Sequence, residues 1–124
     1  LNFGHTFAHA YEASLNFSKK LNHGEAVILG MKSAFKFSHN RKLISNKEFE
    51  SAINHLNNSH FPISIKNYFT LKKINQIISF MARDKKNNSK NIKLILIKKI
   101  GGPIIEKEFS SINIKLFLRE LLID

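Results

Sequence analysis

The stretch from Ala26 to Phe37, AVILGMKSAFKF, is apolar on nearly every side when it is drawn as an α-helix. A helix on the surface of a globular protein is apolar along one stripe only, whereas a helix surrounded by other elements is apolar all round. We therefore predict a central buried helix against which the rest of the chain packs. The chain has 124 residues, 43% of them hydrophobic, which suits one ordinary globular domain.

Four further helices are predicted from apolar spacing and from residues typical of helix starts. Ser45 and Glu48 have the spacing of a capping box, and Thr70 is a second candidate cap. The predicted helices run from residue 3 to about 17, from the capping box to about 58, from Thr70 to about 83, and from 110 or 111 through Leu122.

Two segments near the C-terminus have strand character instead. NIKLILIKKIGG and PIIEKEF are rich in isoleucine and partly alternating, and Gly101, Gly102 and Pro103 between them are typical of a turn. No internal repeat or second domain is evident. We predict a mainly α fold, a helical bundle with one short β-hairpin, in a single domain over residues 1–124.

The formal charge of +11 raises the question of nucleic-acid binding. The cations are almost all lysines, with arginine only at positions 41, 83 and 119, whereas recognition of bases and phosphates favours arginine. We therefore expect a solvated lysine surface and no nucleic-acid partner. No apolar run is long enough to predict a membrane span, and the absence of cysteine excludes thiolate zinc sites and is consistent with a cytoplasmic location.

His5 and His9 lie four residues apart and would share one face of the first helix. A pair with this spacing can chelate zinc, and its best-known form is H-E-x-x-H, in which the glutamate activates water. Here the residue after His5 is Thr6, so a zinc protease is disfavoured. The pair alone is weak evidence for a metal site.

His23-Gly24-Glu25 precedes the central apolar stretch. The H-x-E pattern occurs in zinc deaminases, but these also need a P-C-x-x-C segment, which a chain without cysteine lacks. The triplet is equally consistent with an ordinary helix start, where Glu25 would face the positive end of the helix dipole. An antiparallel pair of helices could nevertheless bring His5 and His23 together, and two imidazoles with a carboxylate are typical of a catalytic metal site.

Three segments together resemble the C-terminal domain of the 3-dehydroquinate synthase family. NFGHTFAHAYEA resembles the family pattern N-x-G-H-T-x-G-H-x-x-E, LNHGEAVILGM resembles L-H-G-E-A-V-x-x-G-M with Asn22 as an additional residue, and the later ARDKK contains D-K-K, in the same order. One departure is Ala8, where the family usually has glycine. The additional methyl group is expected to crowd the partner element slightly.

The resemblance implies a two-domain α/β + α enzyme that binds a metal ion and NAD+. Residues 1–124 would be the helical C-terminal domain, while the NAD-binding α/β domain would be absent from this chain. His5 and His23 fall on two ligands of the Zn2+ or Co2+ ion. The third ligand, a glutamate, would come from a segment before residue 1.

The resemblance also implies a substrate and residues that bind it. The family converts 3-deoxy-D-arabino-heptulosonate 7-phosphate to 3-dehydroquinate and phosphate by oxidation, phosphate elimination, reduction and aldol cyclisation, a step of aromatic amino acid biosynthesis. Asn2 and His9 fall on catalytic positions that contact this substrate. One of Lys85 and Lys86 falls on a residue that binds an anionic group of the substrate.

A full-length enzyme of this family is expected to be a cytoplasmic homodimer, and this chain alone is expected to be inactive, since it has no dinucleotide site. Three alternatives remain open. A related sugar-phosphate cyclase or a metal-dependent polyol dehydrogenase would share the metal domain. A non-catalytic, lysine-rich module that binds an acidic partner would need neither histidine.

Overall fold

A computed structural model describes residues 3–16, 19–59, 64–83, 90–97 and 102–123. Within these ranges the chain forms five α-helices and one two-stranded antiparallel sheet, which confirms the predicted mainly α fold with a single hairpin. The elements are α1 His5–Ser14, α2 His23–Asn40, α3 Asn46–Ser59, α4 Ile74–Ala82, β1 Asn91–Ile97, β2 Ile104–Ser110 and α5 Ser111–Ile123. Short 3-10 helices, Ile65–Asn67 and Leu71–Lys73, precede α4.

The central helix predicted from the sequence is α2. Its Phe37 ring meets Phe109 of β2 edge-on, with 4.7 Å between ring centroids, and Phe117 of α5 at 5.1 Å. Phe7 of α1 packs against the rings of both Phe37 in α2 and Phe117 in α5. A cluster of phenylalanine rings therefore joins α1, α2, β2 and α5 in one core.

The hairpin covers the core with one face. Asn91 pairs with Ser110 and Ile97 with Ile104 at the two ends of its register. In β1 the inward side chains alternate with half-exposed ones, as expected for a strand with one buried face. The inward residues are Ile92, Leu94 and Leu96.

Some helix boundaries differ from the sequence prediction. The helix expected over residues 3 to 17 begins only at His5, because Gly4 at its N-terminus has a left-handed backbone with φ of 74°, and it ends at Ser14. Thr70 precedes the 3-10 turn Leu71–Lys73 without a side-chain capping bond, and α4 itself begins after this turn, at Ile74. The predicted capping box of α3 is confirmed by the Glu48 N–H, which donates to Ser45 Oγ at 3.1 Å.

α5 is apolar on more than one side. Ile114, Phe117 and Leu118 are buried, whereas Ile112 and Leu116 are 69% and 54% exposed. Among the described residues, no helix combines the length and the apolar character needed to span a bilayer.

Candidate metal centre

The candidate site lies where α1 packs against α2, and two glycines allow that contact. A Cβ atom built on Gly4 would lie 2.7 Å from the carbonyl carbon of Gly30, and one built on Gly30 would lie 2.5 Å from the Gly4 oxygen. Ala8 faces Gly30 as well, since the same Cβ on Gly30 would lie 2.8 Å from the Ala8 methyl. The methyl group that distinguishes Ala8 from the family pattern thus lies directly on the partner helix.

The two helices run antiparallel. Gly4 at the start of α1 lies against Gly30 in the middle of α2, whereas Glu12 near the end of α1 meets His23, the first residue of α2. This arrangement, inferred from the sequence, brings the histidines of both motifs to one helix pair.

His5 and His9 are neighbours on α1. Their ring centroids are 4.2 Å apart, with an angle of 40° between the ring planes. His5 is half-buried and His9 is exposed. The two imidazoles therefore occupy one face of the helix, as their four-residue spacing predicts.

His23 is held by a carboxylate of the facing helix. Its Nδ1 lies 3.1 Å from Glu12 Oε2, and the side chain of His23 is 70% exposed while that of Glu12 is only 12% exposed. An ionised carboxylate can only accept a hydrogen bond, so in this contact Nδ1 carries the proton and donates it. The nitrogen left to bind a metal is then Nε2.

The start of α2 is fixed by a second set of contacts. The Glu25 N–H donates to Asn22 Oδ1 at 2.8 Å, and the Asn22 N–H donates to Glu25 Oε1 at 3.0 Å, which completes a capping box. The Tyr68 hydroxyl donates to the other oxygen of Glu25 at 3.1 Å. Burial, together with this hydrogen bond and the charge of Glu25, raises the pKa of Tyr68. Helix initiation, one of the two interpretations of the H-G-E triplet, is thus confirmed.

The remaining predicted site residues, Asn2, Lys85 and Lys86, lie outside the described residues. Within the described part of the chain, no three histidine, aspartate or glutamate side chains converge closely enough to hold a metal ion on their own. The structure pairs His5 with His9 and His23 with Glu12.

The donor chemistry nevertheless fits a divalent ion. Imidazole nitrogens are good ligands of Zn2+ and Co2+, and a metal-binding histidine almost always donates its other ring N–H to a carboxylate or a carbonyl. The contact between His23 Nδ1 and Glu12 Oε2 has this form. Glu12 is not among the site residues predicted from the sequence, although its position three residues after His9 and seven after His5 places it on the same face of α1.

The polar neighbours of His39, His55 and His60 in the sequence predict that all three are surface residues, but His39 is half-buried. Its ring stacks on Phe49 of α3, with centroids 4.5 Å apart and 12° between the planes, and its Nε2 hydrogen-bonds Asn46 Oδ1. This stacking places the imidazole at the junction of α2 and α3, where it is half-buried. His55 is exposed, as predicted, and His60 lies outside the described residues.

A family model described as the C-terminal domain of 3-dehydroquinate synthase matches residues 1–87. A 3-dehydroquinate synthase of Pelagibacter ubique is 54% identical to this chain over 122 residues, which cover 98% of the chain and 33% of that protein. The 3-dehydroquinate synthase of Zymomonas mobilis is 36% identical over 118 residues, which cover 95% of the chain and 31% of that protein. The chain thus spans about a third of the length of these relatives.

Two solved structures share the fold. Both are of 2-deoxy-scyllo-inosose synthase, one of them in complex with carbaglucose-6-phosphate, NAD+ and Co2+. Each has a TM-score of 0.73, with 22% and 23% sequence identity, over 98% of this chain. The match covers 32% and 34% of those chains.

Proposed function

This chain belongs to the 3-dehydroquinate synthase family, and we propose that it is the C-terminal, metal-binding part of a longer lyase. That protein converts 3-deoxy-D-arabino-heptulosonate 7-phosphate to 3-dehydroquinate and phosphate, within aromatic amino acid biosynthesis. The observation that carries the proposal is the α1–α2 pair, which presents His5 beside His9 on one helix and His23 against Glu12 at the start of the other.

We propose that His5 and His23 are ligands of one divalent ion, Zn2+ or Co2+. Two neutral imidazoles leave room for a carboxylate ligand and for substrate, which is the composition of a catalytic site rather than of a closed structural one. A glutamate from outside this chain would supply that carboxylate. When bound, such an ion acts as a Lewis acid that favours the ionised form of a coordinated hydroxyl group.

The substrate-binding roles follow the same proposal. His9 is exposed one helical turn from His5, so its imidazole can exchange a proton or a hydrogen bond with a substrate held at that ion. Asn2 can donate its amide N–H to a substrate oxygen. Lys85 or Lys86 provides a positive charge for the phosphate or the carboxylate of the substrate.

We further propose that NAD+ is bound mainly by another domain of the same longer protein, which acts as a cytoplasmic homodimer. The lengths of the relatives support a further domain, because the matched segment is only about a third of each of them. The fold neighbour solved with NAD+ and Co2+ is consistent with the same pair of cofactors.

The test uses the full-length protein that contains this chain, supplied with NAD+ and Co2+. It should release phosphate from the heptulosonate phosphate and form 3-dehydroquinate, while His5→Ala and His23→Ala should each lower the rate by orders of magnitude. His55→Ala is the matched control, because His55 is exposed and belongs to α3 rather than to α1 or α2, and it should leave the rate unchanged.

The same assay separates the rival functions. Turnover of a sugar phosphate without a carboxylate, in place of the heptulosonate phosphate, would indicate a different sugar-phosphate cyclase. Oxidation of glycerol would indicate a polyol dehydrogenase. Equal activity of the wild type, His5→Ala and His23→Ala would refute a catalytic metal at these histidines and favour a binding module.

A further inference from the structure

The contact between Glu12 and His23 combines a shielded carboxylate with an exposed imidazole. Glu12 is 12% exposed and His23 is 70% exposed, with 3.1 Å between Oε2 and Nδ1. A pair of two exposed, flexible side chains would be worth little, because both lose rotamer freedom when they meet. Here the carboxylate is already restricted by its surroundings, so it is a well-defined acceptor for the ring.

The backbone on both sides of this contact is also fixed. Glu12 lies within α1, which is locked against α2 by the approach of Gly4 to Gly30. His23 is the first residue of α2, whose first turn is held by the capping box of Asn22 and Glu25. The side-chain torsions of His23 are then the main freedom left, and the bond to Glu12 removes it.

We propose that Glu12 is a positioning residue that prepares His23 to bind the metal ion, an inference that rests on the function proposed above. The carboxylate accepts the Nδ1–H of His23, which fixes the tautomer with an unprotonated Nε2. The same bond orients the ring, so that Nε2 faces the ion without a further loss of side-chain entropy. The negative charge of Glu12 makes the imidazole a stronger electron donor.

A different role would give the same contact. If Glu12 only tethers α1 to α2, its removal should lower the stability of the metal-free protein and leave the intrinsic affinity for metal unchanged. A positioning role predicts the reverse, because the loss appears in the metal affinity while the metal-free fold remains.

The experiment measures the dissociation constant for Co2+, in competition with a chelator, on the metal-free full-length protein. Removal of such an outer carboxylate typically weakens metal binding by about 10- to 100-fold. We expect a loss in this range for Glu12→Ala and a smaller loss, about tenfold, for Glu12→Gln, because an amide oxygen is a weaker acceptor than a carboxylate. Glu50→Gln is the charge-matched control, on the exposed side of α3, and should bind Co2+ as the wild type does.

Thermal unfolding of the metal-free proteins completes the test. Unchanged unfolding temperatures together with weakened Co2+ binding support the proposal. Unchanged Co2+ affinity in the Glu12 variants overturns it, and if Glu12→Ala does not fold, Glu12→Gln decides. If the wild type binds Co2+ no better than His23→Ala does, the metal site itself is absent and the proposed function fails first.

Discussion

Replacement of Gly4 by alanine should disrupt the helix contact on which the candidate site depends. The new Cβ would lie 2.7 Å from the Gly30 carbonyl carbon and 2.8 Å from both the Gly30 oxygen and the Met31 nitrogen. All three are backbone atoms, which cannot turn away as the end of a side chain can. α1 must therefore separate from α2 or lose its present start.

The expected cost has two parts. Alanine in the left-handed conformation of Gly4, with φ of 74°, costs about 1–2 kcal/mol. Overpacking of a tight contact costs a further ~1–3 kcal/mol. Gly4→Ala should thus lower the free energy of unfolding by about 2–5 kcal/mol, a large part of the stability of a small domain.

Gly24→Ala is the matched control. Gly24 lies in the first turn of α2, and a Cβ built there meets only Asn22 Oδ1 at 3.5 Å, an ordinary contact. Alanine is favoured over glycine in a helix by about 0.5–1 kcal/mol, so Gly24→Ala should be neutral or stabilising. Gly30→Ala should fall between the two, because that gain in helix propensity offsets part of its clash with Gly4 and Ala8.

The assay is urea unfolding of the 124-residue polypeptide, followed by circular dichroism, for the wild type and the three alanine variants. The order of stability should be Gly24→Ala, then Gly30→Ala, then Gly4→Ala. Equal free energies of unfolding for Gly4→Ala and Gly24→Ala would refute the close approach of α1 and α2.

Three further outcomes are expected. Burial raises the pKa of Tyr11, against a smaller opposite effect of its hydrogen bond to Ser33, so unfolded Tyr11 ionises near 10.0 while the folded residue stays protonated. The contribution of Tyr11 to the free energy of unfolding is therefore complete below that pH and is lost above it at about 1.4 kcal/mol per pH unit. In urea unfolding at about pH 9 and 11, the free energy of unfolding should decrease less with pH for Tyr11→Phe than for the wild type. Equal decreases would contradict the burial of Tyr11. Asn22→Ala removes the cap of α2 and should cost about 1 kcal/mol in the same assay, whereas an unchanged value would mean that the capping box does not stabilise the helix. The 124-residue polypeptide alone, incubated with NAD+, Co2+ and the heptulosonate phosphate, should release no phosphate, and measurable formation of 3-dehydroquinate would refute its dependence on a further domain.

Patterns along the chain were sufficient to predict the elements of the fold. The unbroken apolar stretch of α2, the capping box at Ser45 and the alternating isoleucines of β1 each express a local preference that the tertiary structure keeps. The boundaries of α1 and α4 were less accurate, because a left-handed Gly4 and a 3-10 turn depend on neighbouring elements.

The site was only partly predictable. The spacing of His5 and His9 predicts their contact, but the partner of His23 depends on how α1 and α2 pack, and helical spacing within one element does not specify this. The partial burial of His39 was not predicted for the same reason, since its stacking partner Phe49 belongs to another helix. Metal binding by His5 and His23 stays a prediction. The same holds for the substrate contacts, which are assigned to Asn2, His9 and Lys85 or Lys86.

The proposed function depends on His5 and His23 binding the same metal ion. The most direct measurement is the anomalous diffraction of cobalt in crystals of the full-length protein grown with Co2+. We expect one cobalt peak about 2.0–2.2 Å from a ring nitrogen of both His5 and His23, with Glu12 still hydrogen-bonded to Nδ1 of His23. A cobalt ion held by other residues, or imidazoles at positions 5 and 23 too far apart to share it, would contradict a shared metal site.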